Sequence, residues 1–163
     1  MKNSIVKLFG LLAITGSIFT ACSSDDDKKP TSSFVVNPLD FKGNINDGEV
    51  VLEANTVYQL TGALVIRDGA SLTIPAGTKI QSNAQTSGYI AVAQGGKIFV
   101  NGTATNPVIM TSSNASPAPA NWGGLVICGK APINTVSGGT STAQSEVADL
   151  TYGGTIANDN SGS

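Results

Sequence analysis

The residues able to do chemistry are few and scattered. The 163-residue chain has no histidine, which removes imidazole-based triads and imidazole metal sites. Between Asp47 and Val136 the acids are Asp47, Glu49, Glu53 and Asp68, and the bases are Arg67, Lys79, Lys97 and Lys130. Glycoside hydrolysis normally sets two carboxylates facing each other across the scissile bond. Three of these acids precede the part of the chain that repeats, which leaves Asp68. It lies between Arg67 and Gly69, a context in which a short acid usually caps a turn. No catalytic residue, metal site or cofactor is therefore assigned. Trp122 and Tyr89 are candidates for stacking on a sugar ring, although a Trp122-Gly123-Gly124 turn more often packs as a lid over the chain beneath it. Cys128 follows Leu125-Val126-Ile127 and reads as a small strand filler rather than a reactive thiol.

Cys22 has a clearer chemical context. Lys2 and Lys7 give a positive start, Leu8 to Ile18 an apolar run, and Ala21 a small residue before the cysteine. These are the three parts of a secretory signal peptide. Phe19-Thr20-Ala21-Cys22 resembles the bacterial lipobox, departing from it at Phe19, where leucine is preferred. The resemblance implies residues 1–21 as a lipoprotein signal peptide, Cys22 as the lipidated residue, and the membrane as a partner through its acyl chains. One chain binds a bilayer marginally, at about 0.8 kcal/mol per buried CH₂, and two or more make attachment stable. No other segment approaches the roughly 18 apolar residues of a spanning helix. Ser23, Ser24, Asp25, Asp26 and Asp27 resemble the surface-export signal of Bacteroidota-type lipoproteins. That implies an outer-membrane lipoprotein exposed on the cell surface, with the inner leaflet of the outer membrane as the alternative. A solvated charge run in a linker would look the same.

Composition and patterning bound the body of the protein. Cleavage before Cys22 removes two of nine basic residues and none of eleven acidic ones, deepening a formal charge of −2. That balance excludes a nucleic-acid partner. Nineteen glycines against five phenylalanines, three tyrosines and one tryptophan mean many turns and few bulky core fillers. Residues 22–46 read as the lipidated cysteine, the acidic run and a flexible linker after it. From Asp47 short aliphatic runs take over: Val50–Leu52, Thr56–Leu60, Ala63–Ile66, Ser71–Ile74 and Thr78–Ile80, with Gly62, Gly69 and Gly77 between them. None has helical periodicity.

These runs repeat. Leu64-x-Ile66-x-x-Gly69-x-x-Leu72-x-Ile74 recurs as Ile90-x-Val92-x-x-Gly95-x-x-Ile98-x-Val100, about 26 residues on, a spacing that signals stacked repeats. A looser third copy has Leu125, Ile127 and Ile133. Stacking aligns 64 over 90 over 125 and 72 over 98 over 133 as apolar ladders, each completed by its neighbour. The outward positions between them, such as Val65 and Ala91, are expected to tolerate charge better.

Ser71–Thr78, Gly95–Thr103, Asn106–Thr111 and Asn121–Ile127 resemble, in that order, the opening coils of right-handed parallel β-helix lipoproteins and secreted proteins of Bacteroidota. The expected fold is all-β, a right-handed parallel β-helix of about three coils over residues 47–136. Residues 137–163 form a Gly/Ser/Thr-rich segment leading toward a further coil beyond Ser163. The resemblance implies surface display with contact to a glycan or a host or cell-surface ligand, and it carries over no catalytic residue. The expected function is non-catalytic binding, adhesion or structural display. The alternative is a polysaccharide lyase or glycoside hydrolase whose catalytic residues lie beyond Ser163.

Overall fold

The computed structural model describes residues 30–134 and 139–161. Cys22 and the Ser23–Asp27 run lie outside these residues. Every regular element within them is a strand: β1 (Phe41–Ile45), β2 (Glu49–Val51), β3 (Val57–Ile66), β4 (Ser71–Pro75), β5 (Lys79–Ser82), β6 (Gln85–Val92), β7 (Lys97–Asn101), β8 (Ile109–Ser112), β9 (Trp122–Ile127), β10 (Thr142–Gln144) and β11 (Thr151–Gly153). Short β-branched runs closed by glycine turns leave no room for a helix.

The first nine strands pair in parallel, in three columns. β2, β4 and β7 form one sheet. β1, β3, β6 and β9 form the second column, and β3, β5 and β8 the third. β3 belongs to two columns because Val57–Leu60 pairs with β5 while Leu64–Ile66 pairs with β6. Gly62, expected to separate two strands, lies inside this one. Each circuit of the chain thus returns one strand spacing, about 4.8 Å, above the last.

The repeat sets the register. Leu64 pairs with Ile90 and Ile90 with Leu125, while Leu72 pairs with Ile98. The second ladder stops there: Ile133 lies outside any strand, with its side chain against Gly153. Alternation turns Tyr58, Leu60, Leu64, Ile66, Leu72, Ile74, Ile80 and Ile90 into the core, where each is essentially buried. Tyr58 is tolerated there because its hydroxyl accepts the Glu53 N–H at 2.8 Å, which pairs its one polar group. At the corners Gly48, Gly69 and Gly95 take φ of 58°, 77° and 85°, a region that costs a residue with a Cβ. At Gly95 a Cβ would also run into the Asp68 carboxylate.

Two further expectations change. The stretch to residue 46 is not linker from Pro30 onward, because it builds β1 and a cap over the first rung. Thr31 bridges to Glu49, Ser32 N–H donates to Glu49 O at 3.1 Å, and Gln59 N–H donates to Pro38 O at 2.7 Å. Phe34 and Val36 pack on the core, with the Phe34 ring edge-on to Phe41 at 6.4 Å. The second change concerns the outward face of the β3–β6–β9 column. Residues 139–161 carry the antiparallel β10–β11 hairpin, and Ala148 and Leu150 cover Val65, Ala91 and Cys128. Val65 is 6 % exposed and Ala91 0 %, so β3 and β6 are buried on both faces here.

Candidate functional site

Three of the acids serve turns and loops, while Glu49 on β2 accepts the Thr73 hydroxyl of β4 at 3.2 Å. Asp47 accepts the Ser33 backbone N–H, the Ser33 hydroxyl and the Ser32 hydroxyl, all within 2.9 Å. Those bonds, the backbone one foremost, hold its carboxyl below the usual range. Asp40 accepts from the Thr61 hydroxyl and pairs with Lys42 at 2.9 Å, and its carboxyl is lowered for those reasons. Asp159 accepts the Lys130 backbone N–H and the Ser161 hydroxyl, and the Lys130 bond leads in lowering it. Arg67 does not pair with Asp68; its Nε donates to Asn44 Oδ1 at 3.0 Å. Among the described residues no three of His, Cys, Asp or Glu gather in a way that could hold a metal ion.

Two concavities among the described residues bear on function. One lies at the corner joining the third column to the second. The connection there spans residues 61–63 in the first circuit, 83–89 in the next and 113–124 in the last. The last connection overhangs a hollow of about 380 Å³ lined by Thr111, Ser112, the Pro117–Ala120 turn and Trp122. No charged side chain lines it. Trp122 is half-buried against the inner core, whereas Tyr89 packs against the outer cluster under Ala148 and Leu150. The two aromatics therefore face opposite sides of the sheet and form no joint stacking platform.

The second is a groove of about 710 Å³ over the third-rung strand β7 and beside β9, floored by Val92, Ile98, Val100, Leu125 and Ile127. Lys97, Lys130 and Asp159 stand on its rim. The floor side chains continue the inward ladders, yet Val100, Leu125 and Ile127 are 46 %, 40 % and 38 % exposed. Their apolar register was visible in the repeat, but not that the groove would stay open. Cys128 lies at the groove's edge, 3 % exposed, and burial raises its thiol pKa. That is the environment of an inert filler, since the thiolate is the reactive form.

Comparison with known proteins agrees with the architecture. No curated protein and no solved structure shows a significant match to the chain. Residues 43–163, starting within β1 and covering every later strand, match the family model described as a pectate-lyase-like β-helix domain. Parallel pairing, one-sided apolar ladders and glycine corners are what such a domain requires, and the chain belongs to the pectate-lyase-like β-helix domain family.

Proposed function

We propose that the protein is a non-catalytic outer-membrane lipoprotein, anchored through Cys22 and exposed on the cell surface. Its right-handed β-solenoid body serves binding, adhesion or structural display, with contact to glycans. The observation that carries the non-catalytic reading is the content of the two concavities. The corner hollow has no charged lining residue, and the third-rung groove has one carboxylate, Asp159, already occupied by the Lys130 N–H and the Ser161 hydroxyl. Acid–base cleavage of a glycosidic bond calls for a facing pair. Incubation with polyuronate and with neutral polysaccharides should release no unsaturated product and no new reducing ends. Cleavage abolished by Asp159→Asn would overturn the reading.

Family membership is equally compatible with a second reading, a polysaccharide lyase or hydrolase, with catalytic residues contributed beyond Ser163. Activity in a longer product of the same gene, absent from residues 1–163, would decide for it. Glycan contact is tested at Trp122, the aromatic beside the uncharged hollow. Trp122→Ala should abolish retardation by neutral glycan in affinity electrophoresis, with the fold retained by circular dichroism. The anchor rests on the residues around Cys22. Cys22→Ser should release the protein from membrane fractions or leave its precursor uncleaved, and a processed, membrane-bound variant would exclude acylation.

A further inference from the structure

The cap over the first rung presents apolar side chains outward as well as inward. Burial alternates along it: Phe34 and Val36 pack on the core, while Val35 between them is 84 % exposed. Leu39, 78 % exposed, stands on a turn in the same segment. That turn is fixed by the Leu39 N–H donating to Asn37 Oδ1 at 3.0 Å and the Asp40 N–H donating to Asn37 O at 3.2 Å. The Pro38 carbonyl beside it accepts the Gln59 N–H at 2.7 Å. Val35 and Leu39 are the two most exposed large apolar side chains among the described residues. Single apolar residues scattered over a surface are ordinary, but two held in water by one short, hydrogen-bonded segment mark a place of contact. Between Pro30 and Ile45 the charged residues are Asp40 and Lys42, which pair with each other at 2.9 Å. Asp47, at the corner below, is engaged by Ser32 and Ser33.

We infer that the cap is a membrane-docking surface, which sets Val35 and Leu39 into the headgroup layer of the bilayer that holds the lipid; this rests on the reading of Cys22 as the anchor. The length of chain before the cap selects this occupant. The eight steps from Cys22 to Pro30 span at most about 29 Å at full extension, so an acylated Cys22 keeps the cap within that distance of the bilayer. Two apolar side chains would hold a free protein to a membrane only weakly. Tethering makes their contact intramolecular and raises the effective concentration, so a weak contact suffices. Electrostatics do not oppose it at a zwitterionic surface. Residues 23–45 hold four acids, Asp25, Asp26, Asp27 and Asp40, and three bases, Lys28, Lys29 and Lys42, so their charges nearly cancel. The contact is therefore apolar in origin and insensitive to salt. Docking by the cap also orients the body. The rungs stack away from the bilayer, and Trp122 and its corner hollow face outward, where a glycan can reach them.

The test uses the processed protein purified from membranes and reconstituted into phosphatidylethanolamine–phosphatidylcholine vesicles. A brominated acyl chain in part of the lipid quenches tryptophan close to the bilayer. Trp122 is the one natural tryptophan and serves as the internal control. It stands on β9, three strand spacings from β1, or about 14 Å, and its emission should be unchanged by brominated lipid. Val35→Trp or Leu39→Trp adds a tryptophan at a site already exposed, and most of that added emission should be lost. Placing Val35→Glu beside Leu39→Trp should restore it. If the tryptophan variants fail to fold, amide exchange on the unsubstituted protein replaces them. Residues 34–40 should then exchange more slowly on vesicles than in the same chain produced without acylation, with the ladder strands unchanged. Intact mass reads the anchor separately: a processed chain with no acyl group on Cys22 sinks the anchor and the inference that rests on it. An acylated chain whose added tryptophans emit equally with and without brominated lipid overturns the inference alone. So does a non-acylated chain that buries those tryptophans by dimerising in the absence of lipid, which would assign the face to a second copy.

Discussion

Ala91 and Ile90 are neighbours with opposite directions and the same burial, and they separate the two layers of this protein. Ile90 points into the ladder with Leu64, while Ala91 points outward beneath Leu150. Parity alone would make Ala91 tolerant of charge. The hairpin segment cancels that tolerance, but in a different way. Leu64→Asp places an unpaired charge inside the ladder and should cost on the order of 4 kcal/mol, seen as loss of the cooperative melt. Ala91→Asp should instead detach residues 139–161, because expelling a surface segment costs less than burying a carboxylate. Limited proteolysis should then cut within 139–161 while the rungs remain resistant. Equal global unfolding by both variants would contradict this division. In the intact protein Cys128, under the same cover, should react with a thiol reagent only slowly. It should react at once in the Ala91→Asp variant.

At the scale of elements, the cap and the hairpin are each tied down by polar bonds to a rung corner. Asp47 holds the cap through Ser32 and Ser33. Its carboxyl is held below the ordinary 3.8 in the folded chain. The resulting stabilisation is complete above that ordinary value and disappears as pH falls through the lower folded value. Acid titration should therefore expose the Phe34 environment at low pH, read by fluorescence quenching or NMR. Asp47→Ala should show the loosened cap already at neutral pH. The hairpin is tied by Gln94, whose Nε2 donates at 2.7 Å to both Gly129 O and Gly153 O. Gln94→Ala leaves two carbonyls without that donor. It should destabilise the hairpin by about 1–3 kcal/mol, visible as faster amide exchange at Thr151–Gly153 with the ladder strands unchanged.

At the scale of the molecule, stacked rungs are stabilised mainly by their neighbours, so stability is graded along the stack. β3, β4 and β6 are covered on both sides; β7, β8 and β9 are covered on one. Amide exchange should be slowest at Leu64–Ile66, Leu72–Ile74 and Ile90–Val92. It should be fastest at Lys97–Asn101 and Ile109–Ser112. Uniform protection of all these strands would mean that the stack unfolds as a single unit.

Much of this could be read from residue order alone. Side chains in a strand alternate with a period of two, so a repeat of Leu-x-Ile and Ile-x-Val pairs determines which residues share a face and which stack on which. Leu64, Ile90 and Leu125 fell into register for that reason. Glycine corners were legible because positive φ selects glycine. The apparent linker was misread because its apolar residues are sparse: Phe34 and Val36 make a cap only by meeting Phe41 and the core below, contacts that no local pattern encodes. The ladder broke at Ile133 and the hairpin covered Ala91 for the same reason. Where a Gly/Ser/Thr-rich segment docks is decided by the outer face it meets, not by its own periodicity. Alternation within a strand is a local property and survives in the sequence, whereas the covering of either face is a contact between distant segments and exists only once the chain has folded.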